Sequence, residues 1–115
     1  MRKMSLTEVR SNLFELNCRK ELLDYPPFWC YRSKSSLGIS NHSDSCDSYM
    51  FIEVEYDFRN EKVRGINFVI KAYSKQALYE ESAFKNKKEQ KGIINAIREL
   101  FPSTDINFMA VIEES

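Results

Sequence analysis

The chain has 115 residues, 43% hydrophobic and 13% aromatic, with 17 basic and 17 acidic side chains. That length suits one domain, residues 1–115, with a core of its own, and the balanced charge leaves no overall field to attract nucleic acid or an anionic membrane. Apolar runs stay far below the roughly 18 residues needed to span a bilayer, and the basic start Met1-Arg2-Lys3-Met4 leads into Thr7, Glu8 and Arg10, not into the apolar region of a signal peptide.

Ser5-Leu6-Thr7-Glu8 fits a capping box, in which a hydroxyl and a carboxylate satisfy two backbone N–H groups reciprocally. Leu6, Val9, Leu13, Leu16 and Leu23 follow at helical spacing, which predicts a helix over about residues 5–24. Pro26-Pro27 ends it, because proline lacks a backbone donor and restricts the residue before it. Phe28 to Tyr31 reads as a short strand. Residues 33–48, rich in serine with Gly38, Asn41, Asp44 and Asp47, read as a long loop.

Tyr49 to Phe58 is the clearest strand. Met50, Ile52, Val54, Tyr56 and Phe58 share one face, and Phe51, Glu53, Glu55 and Asp57 share the other. A second strand runs from Val63 to Tyr73, with Ile66, Phe68, Ile70 and Ala72 inward. To keep inward residues beside inward residues, the connecting hairpin needs an odd loop of three or five residues, since a one-residue slip inverts the faces. Ser74 to Phe101 is helical, and a cap at Asn86 with Glu89 three residues on favours two helices over one. Pro102 closes it, and Ile106 to Ile112 is a last strand, apolar on both sides and expected in a central position, parallel to a neighbour. The predicted fold is α+β in the order α-β-β-β-α-β: a mainly antiparallel sheet of about four strands with both helical segments on one face.

The element order resembles that of the double-stranded-RNA-binding domain, α-β-β-β-α, over residues 5–100. That family's lysine-rich start to its second helix is matched here only by Ser74-Lys75, and a further strand follows. The resemblance implies duplex binding, for which Lys85, Lys87, Lys88 and Lys91 would supply phosphate contacts. Glu80, Glu81 and Glu89 interrupt that cluster, so a nucleic-acid partner is the lesser expectation.

No catalytic set is recognisable. His42 is the sole histidine and lies in the serine-rich stretch, where it reads as a solvated residue; an enzyme would have to assemble it with Asp44 or with distant groups. Cys18, Cys30, His42 and Cys46 have zinc-compatible chemistry but no close Cys-Cys pair, so neither a metal nor a cofactor is expected. The odd, unframed cysteines suit free thiols in the cytoplasm.

The feature with functional content is the outer face of the strand from Tyr49. Glu53, Glu55 and Asp57 are spaced about 7 Å apart along it, and such a row repels itself unless cations compensate. Lys62, Arg64 and Lys71 are the candidates within the chain. If they do not, the row suits a basic protein partner such as a toxin nuclease domain, whose phosphate-binding cleft carboxylates can occupy. Phe51, Trp29 and Tyr31 are the expected aromatic anchors, with Asp44 and Asp47 as further acidic contacts. The expectation is a non-enzymatic inhibitor or immunity protein, similar in character to those of bacterial toxin systems.

Overall fold

The strongest alternation in the sequence forms the centre of the structure. The computed structural model describes residues 2–113 and has an α+β architecture with a mostly antiparallel sheet. Strands β4 (Ser48–Asp57) and β5 (Lys62–Ala72) form its antiparallel core pair. Met50, Ile52 and Val54 lie opposite Ile70, Phe68 and Ile66, all buried.

The inward-to-inward register is therefore present, but a bulge supplies it in place of an odd loop. The loop Phe58 to Glu61 is even, and the register shifts between Glu55 and Tyr56. Glu55 pairs with Gly65 and Tyr56 with Val63, so Arg64 is the extra residue that restores the alternation. Glu61 takes the left-handed conformation (φ 53°) that closes the turn.

Beyond β4 lie β3 (Ser36–Ser40) and then β2 (Trp29–Arg32), both antiparallel. On its other side β5 pairs with two strands along one edge. β1 (Arg2–Lys3) is antiparallel to it, and β6 (Ile106–Ile112) is parallel, after a helical crossover. The sheet has six strands rather than four.

Two of the differences from the sequence reading have clear causes. The stretch 33–48 contains β3, because Leu37 and Ile39 alternate into the core while Ser36, Gly38 and Ser40 face outward. With β3 added, the strand count on which the RNA-binding resemblance rested no longer holds. β6 is an edge strand, not a central one. Ile106 and Phe108 are half-buried on the inner face, where Ala110 and Ile112 at the far end of the strand are exposed, and Met109 and Val111 are exposed on the outer face, which no layer covers.

Helix α1 (Leu6–Asn17) starts as expected, with the Ser5 hydroxyl accepting the Glu8 N–H at 3.1 Å. It ends earlier than its apolar stripe does. Cys18 caps it, Arg19 turns to extended backbone, and Leu22 reaches the core from a single 3-10 turn, Lys20–Leu22. The C-terminal helical stretch breaks twice, giving α2 (Lys75–Glu80), α3 (Ser82–Lys85) and α4 (Lys87–Leu100). The Asn86 side chain caps α4 by accepting the N–H groups of Lys88 and Glu89. The Glu89 carboxylate does not reciprocate. It accepts the Tyr25 hydroxyl and the Ser82 hydroxyl, tying the segment after α1 to the helical layer.

Val9, Leu13 and Leu16 of α1, Leu78 of α2, Ala83 of α3, and Ile93, Ala96 and Ile97 of α4 join the inward sheet residues in one core. The helices therefore cover one face of the sheet and leave the other open to solvent.

Candidate binding face on the open side of the sheet

Register places the outward side chains in rows across the strands. One row runs Trp29, Ser40, Phe51, Val69, Met109, and the next runs Tyr31, Gly38, Glu53, Asn67, Asn107. The first row is apolar except for Ser40, and Val69 is buried in it although it lies outside the core beneath the helices. Trp29 and Tyr31, expected from the sequence as aromatics near the acidic strand face, lie in these rows with Phe51 and Glu53.

Gly38 organises the second row. A Cβ at this position would stand 2.5 Å from both Cζ and the hydroxyl of Tyr31, and 2.7 Å from the carbonyl oxygen of Ile52. The Tyr31 ring therefore lies directly over the bare β3 backbone and reaches Glu53, to which its hydroxyl donates at 3.1 Å. Ser36 donates to the same carboxylate oxygen at 3.3 Å. Burial, and then the Glu53 charge, push the Tyr31 phenol well above its ordinary value, so it remains a donor.

Around Glu53 the side chains form a shallow depression of about 390 Å³, walled by Trp29, Tyr31, Tyr49 and Phe51 and bordered by Ser40, His42 and Lys71. Trp29 is half exposed at its rim. His42 is not the solvated residue expected from a serine-rich loop. It is half-buried, and its ring packs edge-on against Tyr49 at 4.7 Å between centroids. Tyr49 and Lys71 were legible in principle, since both continue the outward parity of their strands. His42 was not, because nothing local indicates the contact with Tyr49.

The three carboxylates of the predicted row have different fates. Asp57 is tied up by its own hairpin. It accepts the side-chain and backbone N–H groups of Asn60, the Arg59 N–H and the Arg64 guanidinium, the last at 3.3 Å. These bonds, led by Asn60, hold its carboxyl down to about 2. Arg64 thus quenches one member of the row, and Asp57 clamps the turn. Glu55 is exposed and, among the described residues, accepts only the Asn67 amide, at 3.3 Å, although Lys34, Arg59 and Arg64 border the surface beside it. Among the described residues Glu53 has neutral donors alone. Lys71, the other expected compensator, is engaged by Glu113 at 3.1 Å, and that bond raises its ammonium above the ordinary value.

Asp44 and Asp47 are exposed in the β3–β4 loop, beyond the opposite end of β4 from Asp57, so the structure does not add them to the row. Cys18 and Cys30 are exposed and Cys46 half-buried, all as free thiols. Among the described residues no three His, Cys, Asp or Glu side chains gather into a metal-holding group. The lysines 85, 87, 88 and 91 are exposed where α3 meets α4, with Lys87 over the Phe84 ring at 5.2 Å. Among the described residues no helix is long and apolar enough to cross a membrane.

No family model, curated protein or solved structure matches the chain.

Proposed function

We propose that the chain is a non-enzymatic binding protein that takes a basic protein partner on the open face of its sheet. The observation that supports this reading is the environment of Glu53: a carboxylate oriented by two neutral hydroxyls, with no ion pair among the described residues, lining a depression walled by four aromatic rings. An arginine or lysine of the partner entering there would meet a carboxylate and ring faces together. Both attract a cation, and the pairing strengthens as water is excluded. Trp29 and Phe51 are placed to act as anchors beside it.

A nuclease-type toxin domain suits such a face, because a cleft built to hold phosphates is rich in the cations it would take. The role in the cell would then be that of an inhibitor or immunity protein, acting in the cytoplasm. Glu53 and Glu55 carry the charge complementarity in this reading, and Asp57 does not.

Capture from the native cell lysate tests it, with the wild-type chain and the Glu53→Lys/Glu55→Lys variant as baits. The expected result is a basic protein retained by the first and lost by the second. Titrating that protein should change the fluorescence of Trp29, the single tryptophan. Equal retention by both baits would overturn the assignment of the face. So would salt-sensitive binding of duplex RNA that disappears on neutralising Lys85, Lys87, Lys88 and Lys91, which would favour a nucleic-acid role instead.

A further inference from the structure

The free edge of β6 lacks the usual safeguards of an exposed strand. Natural edges carry charges, prolines or bulges that discourage another strand from adding on. β6 reads Ile-Asn-Phe-Met-Ala-Val-Ile, with no charge and no proline, and it pairs with β5 without interruption over its whole length. Three of the chain's large exposed hydrophobics, Met109, Val111 and Ile112, lie on it.

Its backbone is available as well. Asp105 accepts the Ile66 N–H and Glu113 donates to Ala72, so the odd-numbered residues of this segment point their polar backbone groups at β5. By strand alternation Ile106, Phe108, Ala110 and Ile112 point theirs outward. Among the described residues no backbone bond joins that edge to another segment.

We infer that this edge takes the β6 strand of a second copy of the chain, antiparallel about a two-fold axis, extending the sheet across two molecules. The sequence of the strand selects the register. Centring the axis on Met109 would place Asp105 opposite Glu113 of the other copy, which like-charge repulsion disfavours. Centring it on Ala110 places Ala110 against Ala110, Met109 against Val111, and Phe108 against Ile112, with Glu113 facing Asn107. Each exposed apolar residue then meets an apolar residue, inward facing inward and outward facing outward. Ala110 sits at the axis, where its outward N–H and C=O exchange hydrogen bonds with those of the other copy's Ala110.

The surface is separate from the Glu53 depression, so its test stands apart from that of the proposed function. Sedimentation equilibrium of the wild-type chain up to about 100 μM, the range in which a weak specific dimer populates, should show twice the 13.6 kDa chain mass. Ala110→Lys, a change at an exposed side chain that brings two lysines together at the axis, should return the mass to that of one chain. Its circular dichroism should match the wild type. In a background with Cys18, Cys30 and Cys46 changed to serine, Met109→Cys/Val111→Cys should cross-link between copies on oxidation, because these two positions form the closer, non-hydrogen-bonded antiparallel pair and fall within disulfide reach. A wild-type chain that stays monomeric over the whole range overturns the inference. So does a dimer unaffected by Ala110→Lys, or one in which Met109→Cys/Val111→Cys fails to cross-link.

Discussion

Tyr31 lies across Gly38 so closely that the ring occupies the space a Cβ would need. A substitution at Gly38 therefore meets two obstacles of different kinds. The Tyr31 ring can swing away, at the cost of its bond to Glu53. The Ile52 carbonyl, part of the β3–β4 ladder, cannot move without distorting the sheet. Gly38→Ala is expected to destabilise the chain by about 1–3 kcal/mol, the usual cost of overpacking, read as a lower urea midpoint. Tyr31→Phe should cost less, roughly 0.5–1.5 kcal/mol for one hydrogen bond. The two costs should add to less than their sum in the double variant, since both remove the same contact.

Asn41 extends the sheet just past β3. Its backbone N–H donates to Met50, and its buried side-chain oxygen accepts the Met50 N–H at 2.8 Å. Asn41→Ala leaves that N–H buried without a partner, and the expected loss is about 1–3 kcal/mol. Hydrogen exchange should show the Met50 amide losing protection more than its neighbours Ile52 and Val54.

Asp57 predicts a pH dependence of definite sign. Its carboxyl is held at about 2 in the folded chain, below the roughly 3.9 of an unfolded aspartate. A depressed carboxylate favours folding fully above the unfolded value, and the effect is lost as pH falls through the folded one. Between about pH 4 and pH 2 the urea midpoint of the wild type should therefore drop more steeply than that of Asp57→Ala. At neutral pH the variant should be the less stable of the two.

Tyr25 joins the loop after α1 to α4 by donating to Glu89, beside Ser82, and burial followed by the Glu89 bond pushes its phenol above the ordinary value. Tyr25→Phe removes a donor from a half-buried carboxylate. The expected cost is about 1.5–3 kcal/mol, in the range for hydrogen bonds to charged groups. Replacing Glu89 by Gln in the Tyr25→Phe background should recover part of it, because the acceptor is then neutral.

The sequence was most readable where one periodicity dominated. The alternation in β4 and β5 located the central pair, its inner residues and the outer position of Glu53 and Phe51. β3 was obscured by composition. Its outward residues must be small for Tyr31 to lie over them, and small polar residues are also what marks a loop. β6 misled for the opposite reason. An apolar run on both faces usually signals two-sided burial, and here the outer face and one edge lack a cover. At the site, the shared parity of the three carboxylates on one strand was legible, but their unequal partners depended on Asn60 and on the bulge residue Arg64, which no local pattern announces.

Alternate residues along β4 serve separate ends. Met50, Ile52 and Val54 hold the helices, while Phe51, Glu53 and Glu55 touch nothing that the helices require. Selection acting on what this molecule recognises can therefore rewrite every second position of that strand while leaving its architecture intact. New preferences would then accumulate as surface change, without passing through an unfolded ancestor.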